Sequence, residues 1–105
     1  MKKLLSAMLA LTICSPVLAE TSSEKLQACL KDADIAEVIS MKRQEGTPRQ
    51  VITDMVLSST PELAHAYFLA MVNMAYAEPI QVSEQAKNNI NTDIRNRIMS
   101  ICLEN

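Results

Sequence analysis

The chain has 105 residues, with ten Lys and Arg against twelve Asp and Glu, a formal net charge of −2. Its only aromatic residues are Tyr67, Phe68 and Tyr76. That length supports one small domain, and the acidic balance and scarce aromatics exclude the basic, aromatic-interleaved surface that nucleic acids require.

Met1-Lys2-Lys3 is a short cationic start, and Leu4 to Ile13 is an apolar run interrupted only by Ser6 and Thr12. Ser15-Pro16 breaks the run, and Val17-Leu18-Ala19 offers small residues where a signal peptidase reads. Charged, apolar, then A-x-A-like is the order of a secretory leader. The pattern predicts a signal peptide over 1–19, cleavage after Ala19, and a product 20–105 in the periplasm or outside the cell. The apolar run is about half of the roughly 20 residues that cross a bilayer, so no membrane span is expected once the leader is gone. Cys14 stands where a lipidated cysteine would, but Ile13 before it is bulky, and the later cleavage site explains the same residues.

Removing Lys2 and Lys3 with the leader leaves eight basic and twelve acidic side chains, a net charge of about −4. Cys29 and Cys102 are the two cysteines that remain. In an oxidising compartment they allow one intramolecular pairing. A loop that long restricts the unfolded chain by about 4 kcal/mol in the entropy model. The chain has no C-x-x-C, so the bond is expected to be a staple and not a redox centre.

Thr21-Ser22-Ser23-Glu24 has capping-box spacing and predicts the start of a first helix, which runs to about Gln44. Leu26, Cys29, Leu30 and Ala33 form its apolar stripe, continued with some drift by Ala36, Ile39 and Met41. Gly46, the only glycine, suits a left-handed helix end. Thr47-Pro48-Arg49-Gln50 predicts a second start, with Thr47 as N-cap, Pro48 in the first turn and Gln50 closing a capping box. Val51, Ile52, Met55 and Val56 are expected to face inward. Thr60-Pro61 repeats that chemistry before a third helix, from Pro61 to Tyr76, that is apolar nearly all round. Such a helix is central or also meets a partner. Pro79 stops it, and Ser83 caps a fourth helix with Ala86, Ile90, Ile94, Ile98, Ile101 and Cys102 inside and Asn88, Asn89, Asn91, Asp93, Arg95 and Asn96 mainly outside. The expected fold is all-α, a small up-down bundle of about four helices stapled by Cys29–Cys102.

Candidate chemistry is sparse. His65 is the one histidine, with no nucleophile–base pair to join, and reads as a solvated surface residue. No enzyme activity and no cofactor are expected. Asp32, Asp34 and Glu37 lack the glycine and terminal glutamate of a calcium loop and read as a solvated acidic face. Met71 and Met74 sit one turn apart, a spacing that suits Cu(I) thioethers but suits core packing better. Arg43 and Arg49 flank the Gly46 turn near a helix N-terminus, a candidate contact for an anion or a partner. Tyr67, Phe68, Met71 and Tyr76 are the candidate interface on the third helix.

Arg43-Gln44-Glu45-Gly46-Thr47, then Val72-Asn73-Met74-Ala75-Tyr76-Ala77-Glu78-Pro79, then an amphipathic helix ending in Cys102, resembles a group of small exported bacterial proteins. Those show an R-x-x-G turn, an A-Y-x-x-P helix end and a C-terminal cysteine. The resemblance spans most of the mature chain and implies a helical secreted domain, with no activity attached.

The leading expectation is a non-enzymatic interaction module of the periplasm, in one form an inhibitor or immunity-type protein that caps an envelope enzyme. A periplasmic acid or envelope-stress chaperone is the alternative, and Cu(I) binding through Met71 and Met74 a third. The expected partner is a periplasmic or envelope protein, with a homodimer also open.

Overall fold

Every other helix of the chain packs on the first one. In a computed structural model, which describes the backbone of residues 2–104 and the side chains of residues 22–104, α1 spans Lys2–Gln44, α2 Arg49–Ser59, α3 His65–Tyr76 and α4 Glu84–Glu104. A short 3-10 turn, Glu62–Ala64, leads into α3, and no strand occurs among the described residues. Cleavage after Ala19 and the fate of Cys14 lie outside the residues whose side chains are described. No helix among the described residues is long and apolar enough to cross a membrane.

The paired residues fix the topology. Cys29–Cys102, Asp34–Arg95 and Ser40–Asn91 step in opposite directions along α1 and α4, so those two helices are antiparallel. Asp32 lies by Tyr67, and Gln44 binds the backbone at Pro79, so α3 runs parallel to α1. Arg49 meets Asn73 across the α2–α3 hairpin. The order is up-down-up-down, as short loops favour. A disulfide joins Cys29 to Cys102 with their Cα atoms 5.6 Å apart, which ties the middle of α1 to the end of α4.

The core draws one line from each helix. It holds Ala36 and Ile39 of α1, Ile52 and Val56 of α2, Phe68, Met71, Val72 and Ala75 of α3, and Ile94 and Ile98 of α4. Cys29 and Ala33 continue the buried line of α1 toward the disulfide. Three polar residues are buried with them: Ser40, Gln44 and Asn91. Asn91 was expected on the outer face of the fourth helix. It lies one turn before Ile94 on the same line, and Ser40 Oγ donates to its Oδ1 at 2.7 Å, which satisfies both groups.

Several local expectations are corrected. α1 does not start at Thr21 but runs through the Thr21–Glu24 segment without a break. Residues ahead of it supply the carbonyls that its N–H groups need, so no cap is required there. Leu26 and Met41 are exposed, at the drifting ends of the predicted stripe. Pro48, not Thr47, is the N-cap of α2, without a side-chain cap, and the Gln50 amide donates to Asp54 instead of closing a box. Thr60 ends α2, its hydroxyl donating to the Val56 carbonyl at 2.7 Å, and Pro61 precedes the 3-10 turn. Val51 and Met55 face outward, because α2 covers only the Ile52–Val56 line.

Two boundaries match their chemistry. Gly46 has φ +91°, with Thr47 N–H donating to the Lys42 carbonyl and Gly46 N–H to the Arg43 carbonyl. That pair of bonds is a Schellman end, whose left-handed residue costs glycine nothing. Ser83 caps α4, its hydroxyl accepting the Ala86 N–H at 3.1 Å.

Candidate functional site

The Arg43–Thr47 and Val72–Pro79 segments meet at one end of the molecule. After Gly46 turns the chain, the last turn of α1 faces the end of α3. Arg43 Nε donates to the Glu78 carbonyl at 3.0 Å, and its guanidinium lies 5.1 Å from the centre of the Tyr76 ring. The Tyr76 hydroxyl donates to the Thr47 carbonyl at 2.6 Å. Gln44 Nε2 donates to the Pro79 carbonyl at 3.0 Å, while its Oε1 accepts the Gln81 N–H at 2.7 Å. The buried Gln44 amide thus pins the α3–α4 connection with both of its polar atoms. Burial pushes the Tyr76 phenol up from its ordinary pKa, with the charges of Arg43 and then Arg49 pulling the other way. This clasp is a structural joint, and it engages Arg43, the first candidate anion contact.

Arg49, the second, is exposed on α2 and donates to Asn73 Oδ1. It belongs to a shallow groove of about 570 Å³ between α2 and α3, lined by Arg49, Gln50, Thr53, Leu69, Val72 and Asn73. No carboxylate pairs with Arg49 among the described residues, whereas Arg95 faces Asp34 and Glu37, and Arg97 faces Glu78 and Asp93.

The candidate interface on α3 divides. Phe68 and Met71 are core residues and are corrected as surface contacts, since α1, α2 and α4 enclose that side of α3. Tyr67 and Tyr76 are partly buried and pack against the same core. The Tyr67 ring sits 5.3 Å from that of Phe68. Its hydroxyl is buried without a hydrogen bond of normal geometry, although the Asp32 carboxylate faces it. Desolvation first, and then the Asp32 charge, push the phenol up to about 12. Met74 is partly buried beside the fully buried Met71. Among the described residues no cluster of three or more His, Cys, Asp and Glu side chains is placed to hold a metal. His65 is only part-exposed, and its Nε2 donates to the Thr60 carbonyl at 3.0 Å, a contact made within the turn.

A contiguous apolar surface lies elsewhere. Between α1 and α2 runs a groove of about 300 Å³ whose walls are almost entirely carbon: Ile35, Val38 and Ile39 on one side, Met55 and Val56 on the other. Asp34, Ser59 and Thr60 form its polar margin. Ile39 and Val56 are its buried floor, while Ile35, Val38 and Met55 remain 37%, 46% and 41% exposed. The signal was present in the sequence as a second i, i+3 pair on the first helix, Ile35 and Val38, off its main stripe.

Compared with protein-family models, curated proteins and solved structures, the chain matches none.

Proposed function

We propose that this protein is an exported, non-enzymatic interaction module of the periplasm, of the inhibitor or immunity type, which docks an envelope protein through the α1–α2 groove. The leader pattern of 1–19 supports export, and the cross-linked Cys29–Cys102 pair suits an oxidising compartment. After cleavage the mature chain begins at Glu20, which returns Thr21–Glu24 to the role of an N-terminal cap. One observation carries the interaction reading: Ile35, Val38 and Met55 stay half in water around a pre-formed apolar groove that none of the described residues fills. A contiguous apolar patch of that kind marks an interaction site, and a carbon-lined cleft selects a partner that offers apolar side chains, such as the edge of an amphipathic helix.

The test is a pull-down of the tagged, exported protein under non-reducing conditions, with Val38→Glu as its control. A stoichiometric envelope partner that is lost in V38E, with the melting temperature unchanged, is the expected result. Capture of nothing, or capture indifferent to V38E, overturns the reading.

The chaperone alternative has one observation in its favour. Asp34 and Glu37 of α1 both pair with Arg95 of α4, so acid would dissolve an ionic link across the longest seam of the bundle. Binding of an apolar dye that stays flat down to pH 2 would dispose of it. For Cu(I), the full burial of Met71 supports packing over ligation.

A further inference from the structure

The α2–α3 groove differs in kind from the α1–α2 groove, because its lining is graded. Val72, only 1% exposed, forms an aliphatic floor, and Leu69 a half-buried aliphatic wall. Arg49 and Asn73 stand together at one end. The bond between them uses the Asn73 carbonyl oxygen, which leaves the Asn73 amide as a donor beside the guanidinium. Gln50 spends its amide on Asp54, which leaves its carbonyl oxygen as an acceptor, and the Thr53 hydroxyl completes the polar wall. The cation has no carboxylate of its own among the described residues, unlike Arg95 and Arg97.

We propose that this groove takes the C-terminal residue of a peptide chain that ends in a small aliphatic side chain. Each lining group then meets its complement. The terminal carboxylate lies against Arg49 and the Asn73 amide, a charge-assisted pairing that arginine's planar fork suits. The last N–H donates to Gln50 Oε1 or to Thr53, and the aliphatic side chain covers Val72 beside Leu69. The proposal rests on the interaction reading only in taking the occupant to be a protein terminus. It is independent of the α1–α2 groove.

The experiment is a titration of the isotope-labelled, oxidised protein, followed by amide chemical shifts. Three probes are used: acetyl-Gly-Gly-Val as the free acid, the same peptide as its C-terminal amide, and octanoate. The free acid is expected to give saturable shifts centred on residues 49–53 and 69–73. The amide, or the substitution Arg49→Gln, should weaken binding about tenfold, the loss of one charge-assisted contact. Val38→Glu should change nothing, which separates this site from the docking groove: either can fail while the other stands. Equal binding of acid and amide overturns the proposal. So do shifts confined to other residues, and so does octanoate binding where the peptide acid does not, which would assign the groove to free aliphatic acids instead.

Discussion

Along the edge where α1 meets α4, a disulfide, the buried Ser40–Asn91 hydrogen bond and the Arg95 ion pairs close the seam. Along the edge where α1 meets α2, Ile35 and Val38 stay half in water. The two edges belong to one helix, and the difference is one of partner length. α4 has 21 residues and is bonded to α1 from Cys29 to Ser40, whereas α2 has 11 and packs chiefly on α3. The closed seam is held by covalent, polar and ionic links, and the open edge leaves apolar side chains uncovered. On the proposed reading, stability and docking are separated in space rather than shared by one surface.

The closed seam should therefore dominate stability, and the disulfide should be its largest single contributor. Replacing Cys29 and Cys102 with Ser, or reducing the bond, releases a loop whose ends are 73 residues apart. The loss expected from the entropy model is about 4 kcal/mol. Urea unfolding with and without reductant measures it, and an unchanged midpoint would mean that the bond staples nothing.

Packing comes next. Ile94 is fully buried on the α4 face of the seam, and Ile94→Ala should cost about 3 kcal/mol through lost burial and the cavity left behind. Met55→Ala, at the open groove, should change stability by only a few tenths of a kcal/mol. The contrast between the two variants in one denaturation series is the direct measure of the division of labour. Comparable losses would show that the groove is part of the core.

How far the sequence foretold this depends on the kind of signal. Helix number, order, the Gly46 end, the Ser83 cap and the cysteine pairing follow from local chemistry and from a single possible pairing. The buried polar residues did not announce themselves: Asn91 was expected outside, and Ser40 and Gln44 are polar by type. Position was the better guide: Cys29, Ala33, Ala36, Ser40 and Gln44 step by three and four along one face of α1. The apolar richness of α3 pointed to an interface, but three neighbours absorb Phe68 and Met71, and most of the exposed large apolar side chains fall on α1 and α2, with others such as Leu63 and Val82 in the connections. Which of two adjacent apolar lines on α2 turns inward is a tertiary matter, decided by where α3 lies. The clasp of Arg43, Gln44, Tyr76 and Pro79 joins segments about 35 residues apart, and no periodicity reaches that far.

The buried polar pair offers a finer cut through the same seam. Asn91→Ala leaves the Ser40 hydroxyl buried without its partner, at an expected cost of about 1–2 kcal/mol. The double variant Ser40→Ala with Asn91→Leu removes both polar groups and should recover much of that loss. Failure to recover it would mean that the pair sets the register of α1 against α4 and does not merely fill space.

The last effect concerns alkali, on the side of the core where α3 meets α1. The Tyr67 phenol, pushed up to about 12 by burial and then by Asp32, holds its proton in the folded protein well past the ordinary tyrosine value near 10. Between those two values the folded state binds more of that proton than the unfolded state does. Stability from this group is therefore complete below pH 10 and drains away as pH rises toward 12. Tyrosinate absorbance should show a late-titrating phenol, and the urea midpoint should fall between pH 9 and pH 11.5. Tyr67→Phe should flatten part of that fall and not all of it, because burial raises Tyr76 as well. If Tyr67→Phe leaves the alkaline slope unchanged, the phenol is hydrated in solution, and the α1–α3 contact is looser at Asp32 than the α1–α4 seam beside it.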